Sequence, residues 1–146
     1  MGSYPKPSLL RVGMSLSAVN HLQAALAHHQ AGRLTEASQL YRHVLTQIPN
    51  QPDALRLLGT IAYQSQNFQQ AEQFYQQAIA ANPTIEDPYI NLGKLYQQQE
   101  RVAEAIALYQ SALQQVQNAQ AIHRRLASLL DRDGEGAAEP VAGRAR

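Results

Sequence analysis

The five histidines of the chain are the side chains best suited to hold a metal or move a proton near neutral pH. His21 and His28 stand seven residues apart on one helical face, and His28 is followed directly by His29. Neither arrangement gives the i, i+4 pair with a nearby carboxylate that grips zinc from a helix. They are read as packing or surface imidazoles, and no metal is expected. The other routes to chemistry are equally thin. No Gly-rich phosphate loop is present, since Gly59 and Gly93 sit inside helical patterns, and no Gly-x-Ser-x-Gly elbow occurs. The carboxylates Asp53, Glu86 and Asp87 fall at helix starts, where they complement the helix dipole. The expectation is a protein that is not an enzyme, with no catalytic residues and no cofactor.

Composition narrows the partners. The chain has 146 residues, 45% hydrophobic and only 16% charged, so it can bury a core. Twelve Lys and Arg against eleven Asp and Glu leave a formal charge of +1. That lacks the cationic field of a protein held on nucleic-acid phosphates, although Tyr63, Tyr89 and Tyr96 have faces that could stack on bases. With no cysteine there are no disulfides and no thiolate zinc sites. No apolar run approaches the ~18 residues of a membrane span, and Arg11 interrupts the Leu9-Leu10-Val12 patch. Lys6 stands where a myristoylation motif beginning at Gly2 needs Ser or Thr. A soluble, cytoplasmic protein is expected, with no nucleic acid bound and no membrane insertion.

The elements that would position any site follow a repeat. Ala37, Ala71 and Ala105 are spaced by 34 residues, as are Tyr41, Tyr75 and Tyr109. The same interval relates Leu34, Phe68 and Val102, then Leu45, Ile79 and Leu113, then Gly59 with Gly93 and Pro49 with Pro83. Within each unit the period is helical: Leu55, Leu58, Gly59 and Ala62 follow i, i+3, i+4, i+7, and so do Tyr89, Leu92, Gly93 and Tyr96. A second stripe, Phe68, Ala71, Phe74, Tyr75, Ala78 and Ile79, comes after a short break, so each unit reads as two antiparallel helices. Asn82-Pro83 ends one helix, while Asp87-Pro88 and Pro52-Asp53 open others. Gly32 and Asn67 suit the left-handed conformation that closes a helix between paired elements. The small residues Gly59, Gly93, Ala71 and Ala105 let helices approach closely.

This pattern resembles the tetratricopeptide repeat, a 34-residue helix–turn–helix. Tyr89-x2-Leu92-Gly93-x2-Tyr96 with Ala105-x3-Tyr109 matches best, followed by Leu55-x2-Leu58-Gly59-x2-Ala62 with Ala71-x3-Tyr75 and Pro83. In the first unit His21, Ala24, Ala25 and His28 fill the opening columns, before Ala37-x3-Tyr41 and Pro49 restore the pattern. The resemblance implies an all-α fold, a short right-handed α-α superhelix of three repeats at about 18–51, 52–85 and 86–119. Ile122, Leu126, Leu129 and Leu130 mark a capping helix over 120–131 that completes a domain of residues 15–131. Gln117 replaces the proline of Pro49 and Pro83, which allows the last repeat helix to run on into the cap. Segments 1–14 and 132–146 are expected as mobile tails, Gly134–Arg146 alternatively a linker to a downstream domain, and Leu9, Leu10 and Val12 are candidates to fold over the first repeat.

In this family the first helix of each repeat lines a concave groove, and removing the core stripe predicts its residues. They include Leu22, Leu26, Arg56, Leu57, Thr60, Tyr63, Ile90, Asn91 and Lys94, with Arg124 and Arg125 on the cap. Leu22, Leu26, Leu57 and Ile90 would form an apolar strip, and Arg56, Lys94, Arg124 and Arg125 would attract an acidic segment or a free C-terminus. Some family members clamp a chaperone's carboxylate tail with Lys, Asn, Asn, Lys and Arg. Here Arg56, Asn91 and Arg125 fall in comparable places, but Thr60 and Ala121 replace an Asn and a Lys. The bland alternative is that the leucines pack between repeats and the charges solubilise. The leading function is a non-catalytic module that binds a peptide or partner protein in the groove. The runner-up starts from Gln30–Ala37, Pro52–Leu55 and Leu57–Gly59, which look like bacterial repeat arrays preceding glycosyltransferase or methyltransferase domains. It makes the chain the N-terminal, substrate-recruiting segment of a larger bacterial enzyme. Self-association through repeat ends is a third possibility.

Overall fold

The computed structural model describes residues 14–138, and the tail segments 1–13 and 139–146, with Leu9, Leu10 and Val12, lie outside the described residues. Among the described residues seven helices follow one another: α1 Leu16–Gln30, α2 Leu34–Gln47, α3 Pro52–Gln64, α4 Phe68–Ala81, α5 Glu86–Gln98, α6 Val102–Gln115 and α7 Gln120–Ala138. The chain divides into two compact units, Met1–Asn82 and Pro83–Arg146.

In the first unit α1 pairs with α2 and α3 with α4, and α2 also packs on α3. Ser15 starts α1 by accepting a hydrogen bond from the Ala18 N–H at 3.0 Å. Gln51 does the same for α3, accepting from the Ala54 N–H at 2.7 Å, with Pro52 at the first helical position. Leu22, Ala25, Ala37, Tyr41, Val44, Ala54, Leu58 and Ile61 form one buried cluster, against which Met14, Leu26, Leu57 and Phe74 pack. Met14 therefore belongs to the folded region rather than to a tail ending at residue 14.

In the second unit α5 pairs with α6, α6 packs on α7, and α5 touches α7 more lightly. Its core contains Tyr89, Leu92, Leu95, Tyr96, Ala105, Tyr109 and Ala112, closed by Ala119, Ile122, Leu126 and Leu129. Glu86 has two tasks. It lies in the first turn of α5, and its Oε2 accepts from the Ile122 N–H at 3.1 Å, satisfying an orphan donor in the first turn of α7. α7 runs seven residues beyond Asp131. Gly134 and Gly136 lower helix propensity without blocking it.

Several local expectations change. The left-handed residues between paired helices are Gly32, Gln66 and Glu100, with φ of 81°, 63° and 61°, all 34 positions apart. Asn67 is not among them: at φ −93° it is the N-cap of α4, its side chain accepting from the Gln70 N–H. α5 starts at Glu86, so its N-cap is Ile85 rather than Asp87, and α3 is capped by Gln51. Pro88 is tolerated because the first-turn N–H groups lack intrahelical partners in any case. α6 does not run on into α7 despite Gln117. Ile48, Asn82 and Val116 all leave the helix with positive ψ, 88°, 95° and 128°, so the exit recurs at one column with or without the following proline. Asn118, at φ 54°, completes the last turn.

The close approach at Gly59 and Gly93 is made by a tyrosine ring, not a neighbouring backbone. A Cβ on Gly59 would lie 2.7 Å from Tyr75 Cε1, and one on Gly93 would overlap the Tyr109 ring and hydroxyl. Ala25 holds the same column in the first pair.

Candidate functional site

Of the tyrosines that fill this small-residue column, Tyr41 and Tyr75 end beside polar groups on the first helices. In the first unit the Tyr41 hydroxyl is 3.2 Å from His29 Nδ1, and His29 Nε2 is 2.9 Å from Gln64 Oε1. With the Gln64 oxygen facing the ring, Nε2 donates and Nδ1 accepts from Tyr41, and a half-turn of the amide would reverse both roles. The Tyr75 hydroxyl is 3.2 Å from Thr60 Oγ1, whose own proton can instead go to the Arg56 carbonyl at 3.2 Å. Burial pushes both phenols above their ordinary pKa. The Thr60 bond opposes this for Tyr75, Arg56 opposes it for both, and Asp53 adds to it for Tyr41. Arg56 thus lies within electrostatic reach of two buried phenols that keep their protons.

The second unit repeats the theme with a different cation. Burial raises the Tyr109 pKa and the charge of Arg125 on α7 pulls it back, while the buried Tyr109 hydroxyl has no hydrogen-bond partner among the described residues. Ile90 and Asn91 are half-buried on α5, Lys94 is exposed, and on α7 Arg124 is exposed while Arg125 is half-buried. In the first unit Arg56, Leu57, Thr60 and Tyr63 are half-buried on α3, and Leu26 is half-buried on α1. The Tyr63 ring meets Phe68 edge-on at 5.5 Å.

One expected surface residue is not on the surface. Leu22 is 0% exposed and sits in the core cluster, so it offers no partner any area. Leu26 and Leu57 also pack against that cluster while keeping an exposed edge, a part of the bland reading that the structure supports. The electrostatic link of Arg56 and Arg125 to buried tyrosines is not among the sequence expectations. The 34-residue recurrence of Tyr41, Tyr75 and Tyr109 opposite the first-helix columns was the available signal. A separate cleft of about 270 Å³ is lined by Leu34, Thr35, Ser38, Gln39, Arg42, Ile61 and Ser65, none of them in the expected groove set.

Two family models, each described as tetratricopeptide repeat, match residues 28–95 and 89–120. The chain belongs to the tetratricopeptide-repeat family. Solved structures agree: the Sgt2 TPR domain from Aspergillus fumigatus superposes with a TM-score of 0.70 at 15% identity, covering 91% of this chain and 87% of that one. MamA protein superposes with a TM-score of 0.66 at 20% identity, covering 84% of this chain and 67% of its own. A comparison with curated proteins gives no match. The all-α tetratricopeptide-repeat fold expected from the sequence, three helix–turn–helix repeats and a capping helix, is therefore the fold of this chain. Such repeats are typically non-catalytic protein–protein interaction modules, and the enzyme-associated alternative is not favoured. Among the described residues no helix is long and apolar enough to cross a membrane, and no three His, Asp or Glu side chains converge as metal ligands.

Proposed function

We propose that this repeat protein holds a peptide or partner protein against the exposed sides of its first-position helices and α7, and that the bound segment carries an acidic stretch or a free C-terminal carboxylate. Arg56, Leu57, Thr60 and Tyr63, with Leu26, supply contact in the first unit. Ile90, Asn91, Lys94, Arg124 and Arg125 supply it in the second. The observation that supports the reading is the electrostatic reach of Arg56 and Arg125 to buried tyrosines on neighbouring helices. Both arginines are half-buried, and a guanidinium can hold a carboxylate through two parallel hydrogen bonds. A bacterial cytoplasmic setting is part of this proposal.

The experiment is capture of partners from the source cell with wild type and with Arg56→Glu/Arg125→Glu. Partners lost from the variant are then titrated as synthetic peptides with free and amidated C-termini. Binding that weakens with added salt, with Arg56→Ala and with Leu57→Asp is expected. Equal binding to all variants and no salt dependence would overturn it.

A further inference from the structure

Four of the five histidines, His21, His28, His29 and His43, lie on the α1–α2 pair. Taken along the chain they form no ligand spacing. Across the helix pair two of them meet: the rings of His21 and His43 lie edge-on, with centroids 4.3 Å apart and planes at 61°. His29 is engaged with Tyr41 and Gln64, and His28 Nδ1 accepts from Arg33 Nε at 2.8 Å. His21 and His43 have only long polar contacts, Ser17 Oγ to His21 Nδ1 at 3.4 Å and Gln47 Nε2 to His43 Nε2 at 3.4 Å.

We propose that His21 and His43 form a two-imidazole site for a borderline divalent metal ion of the zinc class, bridging α1 and α2. Two nitrogens bound tetrahedrally at the usual zinc distance lie roughly 3.3 Å apart. Rings already in contact reach that spacing by small rotations about their side-chain bonds. Ser17 and Gln47 suit the supporting role. A ligating histidine donates its other N–H to an oxygen, so His21 would bind through Nε2 while Nδ1–H points to Ser17. His43 would bind through Nδ1, with Nε2–H directed at the Gln47 amide, whose oxygen and nitrogen exchange places by a half-turn. Half-buried His21 anchors the site and exposed His43 leaves it open to solvent. No third protein ligand converges among the described residues, so water completes the coordination sphere.

The test is zinc alone, titrated calorimetrically into chelator-stripped protein, with imidazole NMR and thermal unfolding in parallel. The inference expects saturable binding of one equivalent, shifts confined to the His21 and His43 rings, and an unfolding midpoint that rises with zinc. His21→Asn and His43→Asn should each weaken binding by about tenfold or more, whereas His28→Asn and His123→Asn should leave it within about twofold. His43 is exposed, so its variant keeps the fold, as helical circular dichroism would verify. No saturable binding at millimolar zinc, or binding unchanged in His43→Asn, would overturn the inference without touching the partner-binding reading.

Discussion

Leu22 in α1 and Ile90 in α5 occupy the same column of the repeat, 68 residues apart, yet Leu22 is fully buried and Ile90 only half so. The difference comes from what flanks each column. α5 buries Pro88, Tyr89, Leu92, Gly93, Leu95 and Tyr96, a broad stripe anchored by two tyrosines. In α1 the corresponding anchors are His21 and His28, and both stay half-buried. Imidazoles give less for burial than phenol rings, so the helix seats its next large apolar side chain and buries Ala18, Val19, Leu22 and Ala25 instead. A repeat column predicts orientation only while the residues that enforce it are present.

The largest effect expected follows from that contrast. Leu22→Ala should cost about 2–5 kcal/mol, the range for a buried leucine, whereas Ile90→Ala should cost less than about 1–2 kcal/mol. Urea unfolding of the two variants decides the matter. Similar costs would mean the two columns share one environment and that α1 is not seated differently.

The glycine column sharpens the comparison at intermediate size. Gly93→Ala gains roughly 1 kcal/mol of helix propensity but drives a methyl into Tyr109, an overpacking that costs about 1–3 kcal/mol or more. A net loss is expected, larger than for Gly59→Ala, where the nearest ring atom of Tyr75 leaves more room. Ala25→Gly in the first pair should lose the propensity term and about 1 kcal/mol of buried methyl contact, since Ala25 is fully buried. Thermal unfolding of the three variants checks the order, and Gly93→Ala combined with Tyr109→Leu should recover much of the loss if the ring is the obstacle.

Glu86 offers a third test, confined to the second unit. Glu86→Ala removes the acceptor for the Ile122 N–H and should cost about 0.5–2 kcal/mol, as loss of a helix cap does. Hydrogen exchange at Ile122 and His123 should accelerate while α3 amides remain unchanged. Glu86→Gln should retain part of the stability, since the amide oxygen still accepts but the charge is gone.

Much of this was legible in the sequence, for identifiable reasons. Apolar period and the 34-residue recurrence of Ala37, Tyr41 and their counterparts placed the helices because a helix must bury its stripe wherever it packs. Leu22 was misread because its burial depends on His21 and His28 failing to anchor a neighbouring face. The His21–His43 contact was invisible because it lies between helices, where spacing along one strand of text carries no information. The electrostatic link of Tyr109 to Arg125 was hidden in the same way, joining α6 to α7.

The smallest effect concerns the turns, where the three repeats are most alike. Gly32, Gln66 and Glu100 share a left-handed backbone, but only Gly32 adopts it without a side-chain penalty. A Cβ at Gly32 meets nothing within 4 Å, so Gly32→Ala tests conformation with no steric contribution. It should lose about 1 kcal/mol. Gln66 and Glu100 are exposed, and replacing either by glycine removes a left-handed cost of about 1–2 kcal/mol while adding about 0.5–1 kcal/mol of unfolded-chain entropy. Each should therefore stabilise the protein by a few tenths to about 1 kcal/mol. Asn67→Gly should instead destabilise slightly, because Asn67 caps α4 at negative φ and glycine there loses the bond to the Gln70 N–H. Urea midpoints at constant m read all four substitutions. A gain at Asn67 with a loss at Gln66 would move the left-handed position by one residue and with it the start of α4.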